Sequence, residues 1–132
     1  MFDKTWKIME KDLQGLSHRF RAVGQNLANV NTPGYARREV SFEDQLNDVI
    51  NGPDRLPMAS TDPKHMSTHA KSTEDVVPRE DRIIDQLYRL DRNNVDPEIE
   101  MAKMTEARLG YTGMTRFLTK KVSIYKTAIG GR

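Results

Sequence analysis

The first thirty residues carry apolar side chains at a helical period. Phe2, Trp6, Met9, Leu13, Leu16, Phe20, Val23, Leu27 and Val30 follow one another at spacings that alternate between four and three. Lys4, Lys7, Glu10, Lys11, Asp12, Arg19 and Arg21 fall off that line. Such a period predicts a helix whose narrow apolar stripe faces partner helices in a left-handed supercoil. At ~1.5 Å per residue it would run roughly 45 Å. Gly15 and Gly24 lie inside it, each costing about 1 kcal/mol relative to Ala. Packing rather than propensity must therefore stabilise it, which predicts an arm that orders on contact with a partner.

A second stripe closes the chain. Met101, Met104, Tyr111, Met114, Leu118, Val122, Tyr125 and Ile129 recur at spacings of three, four or seven. Asp96-Pro97-Glu98 reads as its start: Asp as N-cap, Pro at the first helical position, Glu near the positive end of the dipole. Lys120, Lys121, Lys126 and Arg132 gather towards the other end, and Gly130-Gly131 reads as the stop.

Between the stripes the periodicity lapses. In Asn29-Val30-Asn31-Thr32-Pro33-Gly34-Tyr35, Pro33 biases Thr32 away from the helical region, and Pro-Gly fits the central positions of a type II turn. Asn29 and Asn31 are suited to left-handed backbone. Arg37–Phe42 reads as extended, with Ser41 capping a short helix whose Phe42, Leu46 and Val49/Ile50 share a face. Residues 51–80 hold four of the six prolines and keep no period. A helical pattern returns at Asp81–Leu90, broken by Asn93-Asn94-Val95. The expected order is thus an N-terminal heptad helix (1–31), a turn, extended segment and short helix (32–50), a Pro-rich flexible middle (51–80), a short helix and break (81–95), and a C-terminal helix (96–130). The fold class is mainly α, its terminal helices pairing as a coiled-coil or helical hairpin. Period alone leaves open whether they pair within one chain or between chains; stripes at both extremes, joined by a segment without a core, favour assembling arms.

Composition supports this picture. Only 36% of the 132 residues are hydrophobic and 30% are charged, with mean hydropathy −0.73, as suits long helices with one apolar stripe. The net charge of +2 is divided between a neutral first fifty residues, a slightly acidic middle and a basic end. That is too diffuse for a nucleic-acid footprint. With no cysteine, disulfides and thiolate zinc sites are excluded. The N-terminus lacks the long apolar run of a secretory signal, so no cleaved leader is expected, and no stretch approaches the ~18 apolar residues of a membrane span.

Candidate chemistry is sparse. No nucleophile elbow, phosphate loop, dinucleotide glycine pattern or zinc-protease helix occurs. His65 and His69 stand four apart, but in the Pro-rich middle without a partner ligand, and read as solvated. His18 reads as exposed. Arg37-Arg38 is too short a basic cluster for phosphate recognition. Neither an enzyme nor a cofactor or metal protein is expected.

One segment is specific. Asn26-Leu27-Ala28-Asn29-Val30-Asn31-Thr32-Pro33-Gly34-Tyr35 resembles the signature of the bacterial flagellar rod and hook family, at the same place, the end of the first helix. Asn94-Val95-Asp96 with Glu100-Met101-Ala102-Lys103-Met104-Thr105-Glu106 and Tyr111 resembles that family's second conserved block, and Lys120–Ile129 has a similar counterpart. The short length, the Arg37–Glu43 continuation and the lack of a large middle domain point to a short subunit of the proximal rod. The resemblance implies export by the flagellar type III apparatus without signal cleavage and assembly in the periplasm. It further implies contact with other rod subunits and the FliE adaptor, and terminal helices that build the inner tube. On that reading the assembly interface comprises Trp6, Met9, Leu13, Leu16, Phe20, Val23, Leu27 and Val30, with Met104, Tyr111, Leu118, Val122, Tyr125 and Ile129. The family also carries an export-gate element, a Phe with an apolar residue four positions on, which Phe42 and Leu46 match; the same pair equally reads as one face of a packing helix. A non-flagellar helical adaptor is the competing reading.

Overall fold

The computed structural model describes residues 4–52, 72–84 and 90–130. Helix α1 spans Lys4–Ala28, strand β1 Arg38–Ser41, helix α2 Glu43–Asn51, strand β2 Arg79–Arg82 and helix α3 Pro97–Gly130. A 3-10 turn, Thr73–Asp75, precedes β2. At ~1.5 Å per residue, the 34 residues of α3 extend about 50 Å. The mainly helical class and the two long terminal helices are as the periodicity predicts.

The two terminal helices are each other's partners within the chain, and they run antiparallel. Asn26 meets Glu100, whereas Leu16, ten residues earlier on α1, lies under Gly110, ten residues later on α3. The inward side of α3 is Glu100 and Ala107, with Met104, Met114, Leu118 and Val122 half-buried. Of the predicted stripe Met104, Met114, Leu118 and Val122 lie on that side, whereas Met101, Tyr111, Tyr125 and Ile129 are exposed. On α1, Met9, Leu16 and Val23 are buried, Trp6, Leu13 and Leu27 half-buried, and Phe20 exposed; Val30, just past its end, is half-buried.

A second layer crosses α1. Val40 on β1 and Phe42 just after it bury with Leu16 and Ala22. Phe42 is 1% exposed because α1 presents Gly15 there, leaving the ring room against the helix backbone. Leu46, one helical turn on, buries as well. Arg19 closes this pocket from above, its guanidinium 5.0 Å from the Phe42 ring centroid, donating to the Val40 carbonyl at 2.9 Å and pairing with Glu43.

Three expectations are corrected. Ser41 does not cap α2; Phe42 occupies the N-cap position with no side-chain hydrogen bond, because Ser41 belongs to β1. Asp81 and Arg82, read as the start of a helix, instead pair antiparallel with Glu39 and Arg38. The tertiary ladder decides there: Ile83 N–H also donates to the Arg37 carbonyl at 2.8 Å. Likewise Ser72–Pro78, read as part of the flexible middle, lies against α1. Val76 is buried, Lys11 donates to its carbonyl at 3.0 Å, and Lys7 pairs with Glu74 at 2.7 Å. Residues 53–71 and 85–89, with His65 and His69, lie outside the described residues, as does Phe2.

Candidate functional site

The signature segment forms the joint where α1 ends and α3 begins. Tyr35 N–H donates to the Thr32 carbonyl and Gly34 has φ +70°, so Thr32-Pro33-Gly34-Tyr35 is the type II turn that Pro-Gly predicts. Asn29 and Asn31 do not take left-handed backbone; among the described non-glycine residues only Arg92 does, at φ 61°. Asn29 instead keeps a right-handed path and bonds back to the Gln25 carbonyl at 2.8 Å.

Asn26 is the hub of the joint and is fully buried. Its amide engages both backbone groups of Arg38, donating to the carbonyl at 2.8 Å and accepting from the N–H at 2.9 Å. A side chain thus supplies the ladder partner that β1 lacks on its inner side. Asn26 also accepts from the Tyr35 hydroxyl at 3.2 Å and donates to the Glu100 carboxylate at 2.9 Å. Glu100 is buried, and the Arg37 guanidinium stands 3.6 Å away. Arg37 reaches on to Glu39, which Lys103 holds from α3, each at 3.0 Å. Lys103's hydrogen bond, aided by the charges of Arg37 and Arg19, holds the Glu39 carboxyl below its ordinary range.

Asn93 and Asn94 complete the joint, in a stretch that reads from sequence only as a break. The Asn93 amide NH2 stands 2.9–3.0 Å from the carbonyls of Asn29, Val30 and Thr32, in the turn just past the end of α1, where the Asn29 and Thr32 carbonyls also accept backbone N–H groups. Its oxygen accepts from Val95 N–H at 2.8 Å. Asn94 does the same for the sheet, accepting from Arg37 N–H at 2.7 Å and donating to the Ile83 carbonyl. Gly34 N–H donates to the Asp91 carbonyl at 2.8 Å. The left-handed residue Arg92 turns the chain so that both asparagines face inward. Asp96 then caps α3, accepting from Glu98 N–H at 2.9 Å.

The signature therefore divides in two. Asn26 and Tyr35 lock α1, β1 and α3 together, while Ala28, Asn31, Thr32, Pro33 and Gly34 are exposed at the tip. Leu27 and Asn29 are half-buried. Of the predicted interface on α3, Met104, Leu118 and Val122 turn towards α1. Tyr111 and Phe20 border an open groove of about 360 Å³ with Leu16 and Ala107, and Tyr125 and Ile129 stand exposed beyond the start of α1. Phe42 and Leu46 pack inside. Asn93, Asn94 and Glu100 escape a periodicity search because polar side chains in a break, or on a stripe, give no hydrophobic signal. Among the described residues no cluster of three acidic or histidine side chains could hold a metal, and no helix is long and apolar enough to cross a membrane. The joint positions backbone.

No family model matches the chain. Curated relatives do. The flagellar basal body rod protein FlgB of Bacillus subtilis is 26% identical over 132 residues, covering 99% of this chain and 97% of the relative. That of Borreliella burgdorferi is 28% identical over 119 residues, 86% of this chain and 87% of the relative. That of Aquifex aeolicus is 29% identical over 114 residues, 86% and 83% respectively. The chain that builds this joint is thus similar, along most or all of its length, to flagellar basal body rod proteins FlgB of several bacteria.

Proposed function

We propose that this chain is a structural subunit of the flagellar basal body rod, working by assembly and not by a chemical step. The observation that carries the reading is its similarity, over 86–99% of its length, to FlgB proteins. The relatives reported are all FlgB, which favours that subunit over the related rod protein FlgC and over a non-flagellar adaptor.

In this reading the chain sits at the proximal end of the rod, beside other rod subunits and the FliE adaptor, and reaches the periplasm through the flagellar type III gate without losing a leader. The terminal helices bury their remaining apolar surface, Tyr125, Ile129 and the groove beside Phe20 and Tyr111, against neighbours. A shaft that transmits torque needs a stiff subunit, and the joint supplies stiffness by tying both helices to one sheet. Phe42 and Leu46 can meet the export gate only while α2 is undocked, since both are buried once the chain folds. A Phe42→Ala chain exported at the normal level would remove the gate role.

The test of the whole reading is location. A tagged chain should co-purify with basal bodies and its deletion should abolish rod formation. Intact rods lacking the chain would overturn it.

A further inference from the structure

Helix α3 carries a second apolar stripe that α1 does not cover. Ile99, Leu109, Phe117 and Ile124 are between 47% and 69% exposed, on the side turned away from Met104, Ala107 and Leu118. Glu106, Gly113 and Lys120 lie between them at spacings of seven, three and four, the repeat of a helix seam. Gly113 has a function only if something approaches it. A β-carbon there would meet nothing within 4 Å in the chain, yet glycine in a helix interior costs about 1 kcal/mol against Ala.

The stripe is complementary to itself reversed. Leu109 and Phe117 stand four residues either side of Gly113; Glu106 and Lys120 stand seven residues either side. Ala102 and Ile124 stand eleven away. Charge follows the same rule on balance: Asp96, Glu98, Glu100 and Glu106 outweigh Lys103 and Arg108 before Gly113, while residues 114–130 contain Arg116, Lys120, Lys121 and Lys126 and no acid. Among the described residues neither Glu106 nor Lys120 is held in an ion pair.

We infer that the free chain forms an antiparallel homodimer through this face of α3, with the two-fold axis at Gly113. Leu109 of each copy packs on Phe117 of the other, Glu106 pairs with Lys120 twice, and the absent side chain at Gly113 lets the helices approach closely. An isologous contact of this kind closes on itself, so it belongs to the unassembled chain and goes beyond the rod reading. It stands or fails whatever is found in basal bodies.

The absence of native cysteine makes the test clean. Residues 109 and 117 of one chain are separated by about 12 Å along the helix, beyond the ~7 Å that a disulfide spans. Under mild oxidation, a mixture of the full-length Leu109→Cys and Phe117→Cys variants should yield a mixed disulfide dimer, and neither variant alone should form a disulfide-linked dimer. Homodimers of Phe117→Cys alone would indicate a parallel pair and overturn the proposal. So would a wild-type chain that sediments only as a monomer at high concentration. Lys120→Glu should weaken the dimer about tenfold, as it breaks two symmetric pairs, and Glu106→Lys in the same chain should restore it. Loss without restoration, with helicity unchanged by circular dichroism, would also overturn it.

Discussion

The ring of Phe42 occupies the space where Gly15 would carry a side chain: a β-carbon built on Gly15 falls 2.5–2.6 Å from three ring atoms. Gly15 is thus the point at which the β1–α2 layer meets the long helix. The contact sets two opposing effects of one substitution against each other. Ala would gain about 1 kcal/mol of helix propensity and force an overpacked ring that costs about 1–3 kcal/mol. The ring is hemmed in by Arg19 and Val40, so the clash wins. Gly15→Ala should lower the thermal midpoint, whereas Gly24→Ala, with nothing within 4 Å of its β-carbon, should raise it. Thermal melts of the two variants side by side are the check; two equal gains would refute the packing account.

Asn93 should matter more than any single apolar residue of the exposed stripe. Asn93→Ala removes a fully buried amide with its hydrogen bonds to the Asn29, Val30 and Thr32 carbonyls and from Val95 N–H, at a cost of about 1–3 kcal/mol. Asn93→Asp should cost at least as much at neutral pH, because it turns a carboxylate towards three carbonyl oxygens. Urea unfolding of the three chains would rank them.

Asn26→Leu keeps the size of the side chain and removes four hydrogen bonds. It leaves Glu100 buried with only the longer Arg37 contact, so a loss of about 3 kcal/mol is expected. Hydrogen exchange should show the loss first in β1 and in the first turns of α3. Uniform loosening of the whole of α3 instead would place the lock elsewhere.

Two groups give the pH dependence opposite signs. Lys103's hydrogen bond lowers the Glu39 pKa, so its contribution is present above the ordinary carboxylate pKa and is lost as pH falls through the lowered folded value. Burial, with the nearby Glu43 charge adding to it, raises Asp12. Its contribution is therefore present in acid and lost as pH rises through the raised value. At neutral pH the Asp12 charge is a cost. Asp12→Asn should raise the melting temperature at pH 7 and lose that advantage near pH 3. Glu39→Gln should lower it at pH 7 and converge with wild type in acid. A pH series of melts on both variants reads the two signs directly.

Sequence by itself determined the long elements and the identity of the turn. The stripe from Trp6 to Val30 and that from Met104 to Val122 are periodic enough to specify two helices and their inward faces, since burial selects side chains at the helical repeat. Asn31–Tyr35 is local chemistry: Pro33 and Gly34 specify the turn whatever surrounds them. Only tertiary structure decided which partner each stripe meets first, because the period is the same for a hairpin and for a bundle of several chains. It also decided that Asp81 and Arg82 are strand, since the free backbone edge of Arg38–Ser41 outweighs a weak helical pattern. It gave Asn26, Asn93 and Asn94 their roles, because a buried amide is defined by the groups that come to face it, and those lie as far as 74 residues away in the chain.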